Sequence, residues 1–202
     1  MKKILFGCMA LLNVTTYAQD SSKQIITTPA SSLSFSGYIE GYYSYDFNKP
    51  QNNTKPAFIF SHNRDNEFNI NLAFIRAGYN GDKVRGTLAI GTGTYMNANY
   101  AAEPATLKNI YEANAGVKIG KKNLWFDIGI LPSHIGFESA VSKDCWTLTR
   151  SIKADNTPCF EGGARLNYTS DSSTWNLSGL LLNGWQRISR IEGSSKMSFG
   201  TQ

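Results

Sequence analysis

His134 and Glu138 stand four residues apart, a spacing at which one helical turn would bring an imidazole and a carboxylate to a shared metal ion. No third ligand lies nearby in sequence. The pair therefore reads as a hydrogen-bonded loop pair, and no metal is expected. Ser133-His134 and Ser151 supply the residue types of acyl transfer. Neither serine lies in a Gly-x-Ser-x-Gly elbow, the turn that exposes such a nucleophile. Gly91-Thr92-Gly93 follows an apolar run, as the opening of a dinucleotide fingerprint does. The third glycine would fall at Met96, and no helical periodicity follows, so no cofactor is expected. Small residues at 89, 91 and 93 read instead as room on an inward face. No catalytic residue is expected.

The elements that must carry these residues are strands. Segments with alternating apolar and polar residues recur at about 34–47, 66–79, 83–95, 109–119, 124–131, 160–168 and 174–185. In the first, Phe35, Ile39, Tyr43, Tyr45 and Phe47 share one face, and Ser36, Glu40, Ser44 and Asp46 the other. In the second, Phe68, Ile70, Leu72 and Phe74 alternate with Asn69 and Asn71. The third sets Val84, Leu88 and Ile90 against Arg85 and Thr87. The fourth sets Tyr111, Ala113, Ala115, Val117 and Ile119 against Glu112, Asn114 and Lys118. The fifth sets Leu124, Phe126, Ile128 and Ile130 against Asp127. The seventh is apolar on both faces at Leu180-Leu181-Leu182. Asn80-Gly81-Asp82, residues 120–123 and residues 170–173 are tight turns, and the other gaps are long. Short and long connections alternate strictly. An up-and-down β-barrel of the bacterial outer membrane reads this way, with short periplasmic turns and long outer loops. Residues 199–202 look like the start of an eighth strand. The fold expected is therefore all-β: a partial antiparallel transmembrane barrel of about 7–8 strands, the N-terminal portion of a larger one.

Bulk properties agree. The chain has 202 residues and a formal charge of +5. Mean hydropathy is only −0.30, as expected where every second strand residue faces water. No basic run or zinc motif appears, so no nucleic-acid partner is expected. Ten Tyr and eleven Phe suit aromatic girdles at two membrane interfaces. Lys2 and Lys3, an apolar run from Ile4 to Leu12 and Thr16-Tyr17-Ala18 make residues 1–18 a secretory signal. Cys8 comes too early to serve a lipoprotein box. Residues 19–33 read as a flexible periplasmic lead-in, and 34–202 as the barrel.

Several stretches resemble the OmpL-like family of β-barrel porins. They are residues 36–43 (Ser-Gly-Tyr-Ile-Glu-Gly-Tyr-Tyr), 68–72, 131–139 (Leu-Pro-Ser-His-Ile-Gly-Phe-Glu-Ser), 146–151 (Trp-Thr-Leu-Thr-Arg-Ser) and 182–187. The resemblance covers roughly residues 33–202. It implies an outer-membrane porin that passes small hydrophilic solutes and no enzymatic activity. Lipid, the barrel-assembly machinery and, as an open alternative, further copies of the chain are its expected partners. Two other readings stay open: a non-channel barrel whose surface loops bind a partner, and an outer-membrane hydrolase.

In a diffusion channel, function rests on lumen width and on the polar groups lining it. The lining candidates are Glu40, Asp46, Asn69, Asn71, Arg85, Thr87, Glu112, Lys118 and Asp127. The longest gap, 132–157, is too long for a simple connection and suits a constriction loop. Its candidates are His134, Glu138, Lys143, Asp144, Arg150 and Lys153. Its apolar residues Ile135, Phe137, Trp146 and Leu148 are expected to pin it to the inner wall. Cys145 and Cys159 could be bridged in an oxidising compartment or remain free thiols.

Overall fold

The computed structural model describes residues 31–202. The expected export signal and most of the expected lead-in lie outside the described residues. Eight strands form a single antiparallel sheet in sequence order. They are β1 (Ser32–Ser44), β2 (Glu67–Asn80), β3 (Val84–Thr92), β4 (Ile110–Lys118), β5 (Leu124–Pro132), β6 (Phe160–Thr169), β7 (Asn176–Leu182) and β8 (Ser198–Thr201). Each strand pairs with its sequence neighbours, and the sheet is not closed among the described residues. This is the architecture of a partial up-and-down barrel. Short turns close between Gly81 and Val84, Ile119 and Leu124, and Ser170 and Trp175 through single backbone hydrogen bonds of 2.7–2.9 Å. All three lie at one end. The long connections 45–66, 93–109, 133–159 and 183–197 lie at the other.

Period-two alternation sorts the side chains as expected over most of the sheet. Phe35, Ile39, Phe68, Leu88, Ile90, Ile128 and Phe199 stand out on the apolar face. Asp127, Glu112, Ala89 and Ser178 are buried on the polar face. Two bulges break the rule. Glu40 pairs with Leu72 but Gly41 pairs with Ile70, so Asn71 is an extra residue in β2. Ala89 pairs with Glu112 but Ile90 pairs with Ile110, so Tyr111 is an extra residue in β4. A bulge adds one residue and inverts the faces beyond it. Leu72 and Phe74 therefore turn inward, against the sequence expectation, while Ile75 turns out and is 73% exposed. Tyr111 likewise turns inward and stacks on Phe74 with centroids 4.8 Å apart. Ile130 also departs from the apolar face. It is buried with Leu72, Tyr95, Met96, Tyr100, Val141 and Phe160.

That cluster is a core on the polar side of the sheet, at the long-loop end. Connection 93–109 builds it. The segment expected to extend the third strand to Tyr95 instead starts a helix, α1 (Thr94–Asn99). Gly93 makes the turn with φ 124°, and a side chain there would strike the β2 backbone. Gly91 leaves room for Met96 and Tyr111 above it. Tyr100 then stacks on Phe160 at 4.0 Å.

The face assignment is testable in a bilayer. Ile75→Arg should cost about 2–4 kcal/mol if the site lies near the midplane, and Thr87→Arg on the polar face should cost less than about 1. Urea titration of protein refolded into phospholipid vesicles measures both, and equal costs would contradict the alternation.

Candidate functional site

The polar face carries charges that match one another across strands. In one row the register runs Ser36, Arg76, Ala89, Glu112. Ala89 is too small to intervene, so Arg76 reaches over it to Glu112 at 2.6 Å. A second row runs Asn80, Arg85, Gly116, Asp127, Arg165, Leu180. Arg85 passes over Gly116 and grips Asp127 with two hydrogen bonds of 2.8 and 2.7 Å. Any side chain at 116 would collide with Asp127 and Arg85. Arg165 binds the same carboxylate from the far side at 3.2 Å. Planar guanidinium forks suit this bidentate geometry.

Nearer the long loops, Glu40 accepts from Asn71 Nδ2 at 3.0 Å and pairs with His62 Nε2 at 2.9 Å. The bulge residue Asn71 also accepts the His62 backbone N–H at 2.8 Å. These contacts hold connection 45–66 against the wall, with His62 at a left-handed φ of 52°. On the other side, His134 Nδ1 lies 2.8 Å from Glu161, and its ring packs against Gly200 of β8.

Connection 133–159 folds over the polar face and encloses a chamber of about 410 Å³ with it. Tyr38, Phe74, Arg76 and Glu112 form its wall, and Glu138, Val141, Lys143 and Asp144 its cover. A lower chamber of about 300 Å³, toward the short turns, is lined by Arg85, Thr87, Asn114, Asp127 and Arg165. Glu112 and Pro132 line both, so they stand at the boundary.

Of the expected lining residues on the polar face, Arg85, Thr87, Glu112 and Asp127 border a chamber, and Glu40, Asn69, Asn71 and Lys118 border neither of the two. Asp46 does not belong to that face. It lies beyond β1 in the first long connection, where its N–H bonds Asp65 and its carboxylate turns back to Asn48. In the covering loop, Lys143 and Asp144 are exposed over the upper chamber, with Lys143 Nζ 6.0 Å from the Tyr38 ring. Glu138 accepts the Ser151 hydroxyl and backbone N–H. The Ser151 hydroxyl foremost, then its N–H, holds the Glu138 carboxyl below the usual range. That tie is complete above the ordinary carboxylate pKa and is lost as pH falls through the lowered one. Arg150 is buried on Ala154 O at 2.6 Å and does not line the opening freely. Lys153 is exposed on α2 (Ile152–Asp155), outside both chambers.

Of the residues expected to pin the loop, Ile135 is half-buried against the upper chamber, and the other three do not pin it. Phe137, Trp146 and Leu148 are 95%, 100% and 86% exposed. Val141 does the packing. Carboxylates do the rest by collecting backbone N–H groups that irregular loops cannot pair. Asp155 accepts the N–H of Phe60 and Ser61 and the Ser61 hydroxyl at 2.6–3.1 Å. Glu103 accepts the N–H of Ile188 and Ser189, both at 3.0 Å. The bridge weighed for Cys145 and Cys159 is not formed, and both are free thiols. Cys145 contacts Ser139 O at 3.2 Å, whereas Cys159 contacts Asn99 at 3.2 Å. Burial pushes the Cys159 thiol up.

Arg76, Arg165, Glu161, Tyr38 and Glu103 belong to the site but were not singled out in the sequence. Arg165 shares parity with Asn167 and was legible. Arg76 was not, because strict alternation puts it beside Phe68 and Phe74 on the apolar face.

A family model described as "Putative beta-barrel porin-2, OmpL-like" matches residues 32–202. No curated protein and no solved structure matches the chain.

Two outcomes follow from this geometry. Asp127→Ala leaves two guanidiniums facing each other and should cost about 2 kcal/mol in urea titration. That is below the 3–5 of a fully buried pair, because Arg85 and Arg165 keep 29% and 26% of their surface in solvent. A cost near zero would contradict the pairing. In alkylation at pH 8, Cys159 of the folded protein should react much more slowly than in urea.

Proposed function

The chain belongs to the OmpL-like β-barrel porin family, and from that premise we propose that its polar face lines a passive diffusion channel for small hydrophilic solutes. Residues 1–18 direct export, and the apolar face meets outer-membrane lipid. In lipid, strands must satisfy every backbone group by pairing, and a water-filled lumen takes the charges. One observation carries the reading. The polar face holds paired charges in rows, and the longest loop folds across that face and leaves a chamber that adjoins a second one. A merely structural wall would be filled with side chains.

In this reading no residue does chemistry. Arg76, Glu112, Lys143 and Asp144 present charge of both signs around the upper chamber, and solutes pass or fail by size and by their interaction with that field. Loop segment 140–145 sets the width, and the exposed stretch 146–149 does not. A second reading rests on the same loop: Phe137, Trp146 and Leu148 are what a partner-binding surface would present. A barrel that binds but does not conduct would favour it.

Single-channel recording in planar bilayers decides between them. Replacing residues 140–145 by a Gly-Ser linker should raise conductance, and Lys143→Glu should shift ion preference toward cations. If conductance and selectivity both stay unchanged, the loop does not border the conduction path.

A further inference from the structure

The lower chamber carries more positive charge than it needs. Asp127 is already saturated: two donors from Arg85 and two from Arg165 occupy its oxygens. One carboxylate therefore serves two guanidiniums. Lys118 lies on the next row of the same face, paired in register with Trp125, and has no salt bridge among the described residues. The nearest other carboxylate, Glu112, is engaged by Arg76 and Asn114. Two guanidiniums of the chamber lining thus share one carboxylate, and Lys118, outside that lining, adds a further cation at the short-turn end. Asn80 and Thr87 complete the chamber wall with neutral donors, whereas the Asn114 amide is spent on Glu112 and Ile130 O.

The guanidiniums are held for use. Arg85 lies over the Trp125 ring at 4.4 Å, which fixes its plane. Each guanidinium spends an Nε and one terminal nitrogen on Asp127, so the second terminal nitrogen of each stays free to donate. Both side chains remain about a quarter exposed. Two planar forks with spare donors, set beside the neutral groups of Asn80 and Thr87, match the geometry of an oxyanion better than that of a halide.

Building on the channel reading, we propose that the Arg85–Asp127–Arg165 cluster is a transient docking station for solutes bearing a carboxylate or phosphate. It makes the pore anion-preferring toward its short-turn end. Binding there is weak because Asp127 competes for the same donors, which suits a site that must also release.

The test uses the full-length protein in planar bilayers, with inorganic phosphate and acetate as probes against a potassium chloride background. Both oxyanions should reduce the chloride current in a saturable way, and the reversal potential in a salt gradient should show anion preference. Arg165→Gln should raise the half-blocking phosphate concentration roughly fivefold, the equivalent of ~1 kcal/mol of attraction at contact distance in water. Arg165→Lys should retain the preference with weaker block. Thr87→Asp, which adds a carboxylate to the same chamber two residues from Arg85, should abolish both. Conductance with no saturable phosphate block, or block unaltered by Arg165→Gln and Thr87→Asp, would overturn the docking station while leaving the channel standing. Absence of any conductance would instead overturn the channel reading.

Discussion

A sheet with one apolar face must keep all its charge on the other, and must pair its buried carboxylates there. The Arg85–Asp127–Arg165 cluster shows how this chain does so. Adjacent strands alone would set like and unlike charges wherever the sequence happened to place them. Small residues relax that constraint. Gly116 and Ala89 open gaps through which an arginine reaches a carboxylate two strands away. Ion pairing on the wall is thus decoupled from nearest-neighbour register.

The same logic extends to the long-loop end. Loops of this length have backbone groups without ladder partners, and the chain answers with carboxylates. Asp155 ties 133–159 to 45–66, and Glu103 ties 93–109 to 183–197. Tyr95, Tyr100 and Phe160 supply an apolar core beneath them. The connections consequently form one cover, and its position over the polar face is set by the wall residues Glu40, Asn71 and Glu161.

Strand number, order and turn parity were legible in the sequence, because lipid-facing and water-facing positions must alternate and each tight turn has its own residue types. The faces were legible only as far as the first irregularity. Asn71 and Tyr111 each insert one residue, and nothing in a period-two pattern announces an insertion. Strict alternation therefore puts Leu72, Phe74 and Tyr111 outside and hides Arg76 among them. The covering loop was legible as a long, functional segment, but not in its packing. Trp146 and Phe137 are the bulkiest apolar residues there, yet short Val141 fills the available space. Whether a loop residue packs depends on tertiary shape, which composition does not encode.

The account's central claim is that one face of this sheet borders a water-filled conduction path. Cysteine substitution in a cysteine-free background, with a water-soluble thiosulfonate applied during single-channel recording, tests it most directly. Asn114 and Ala115 are neighbours on opposite faces of β4. The account predicts a stepwise fall in current on modification of Asn114→Cys and no change for Ala115→Cys. Equal effects at both positions, or no conductance to modify, would contradict it.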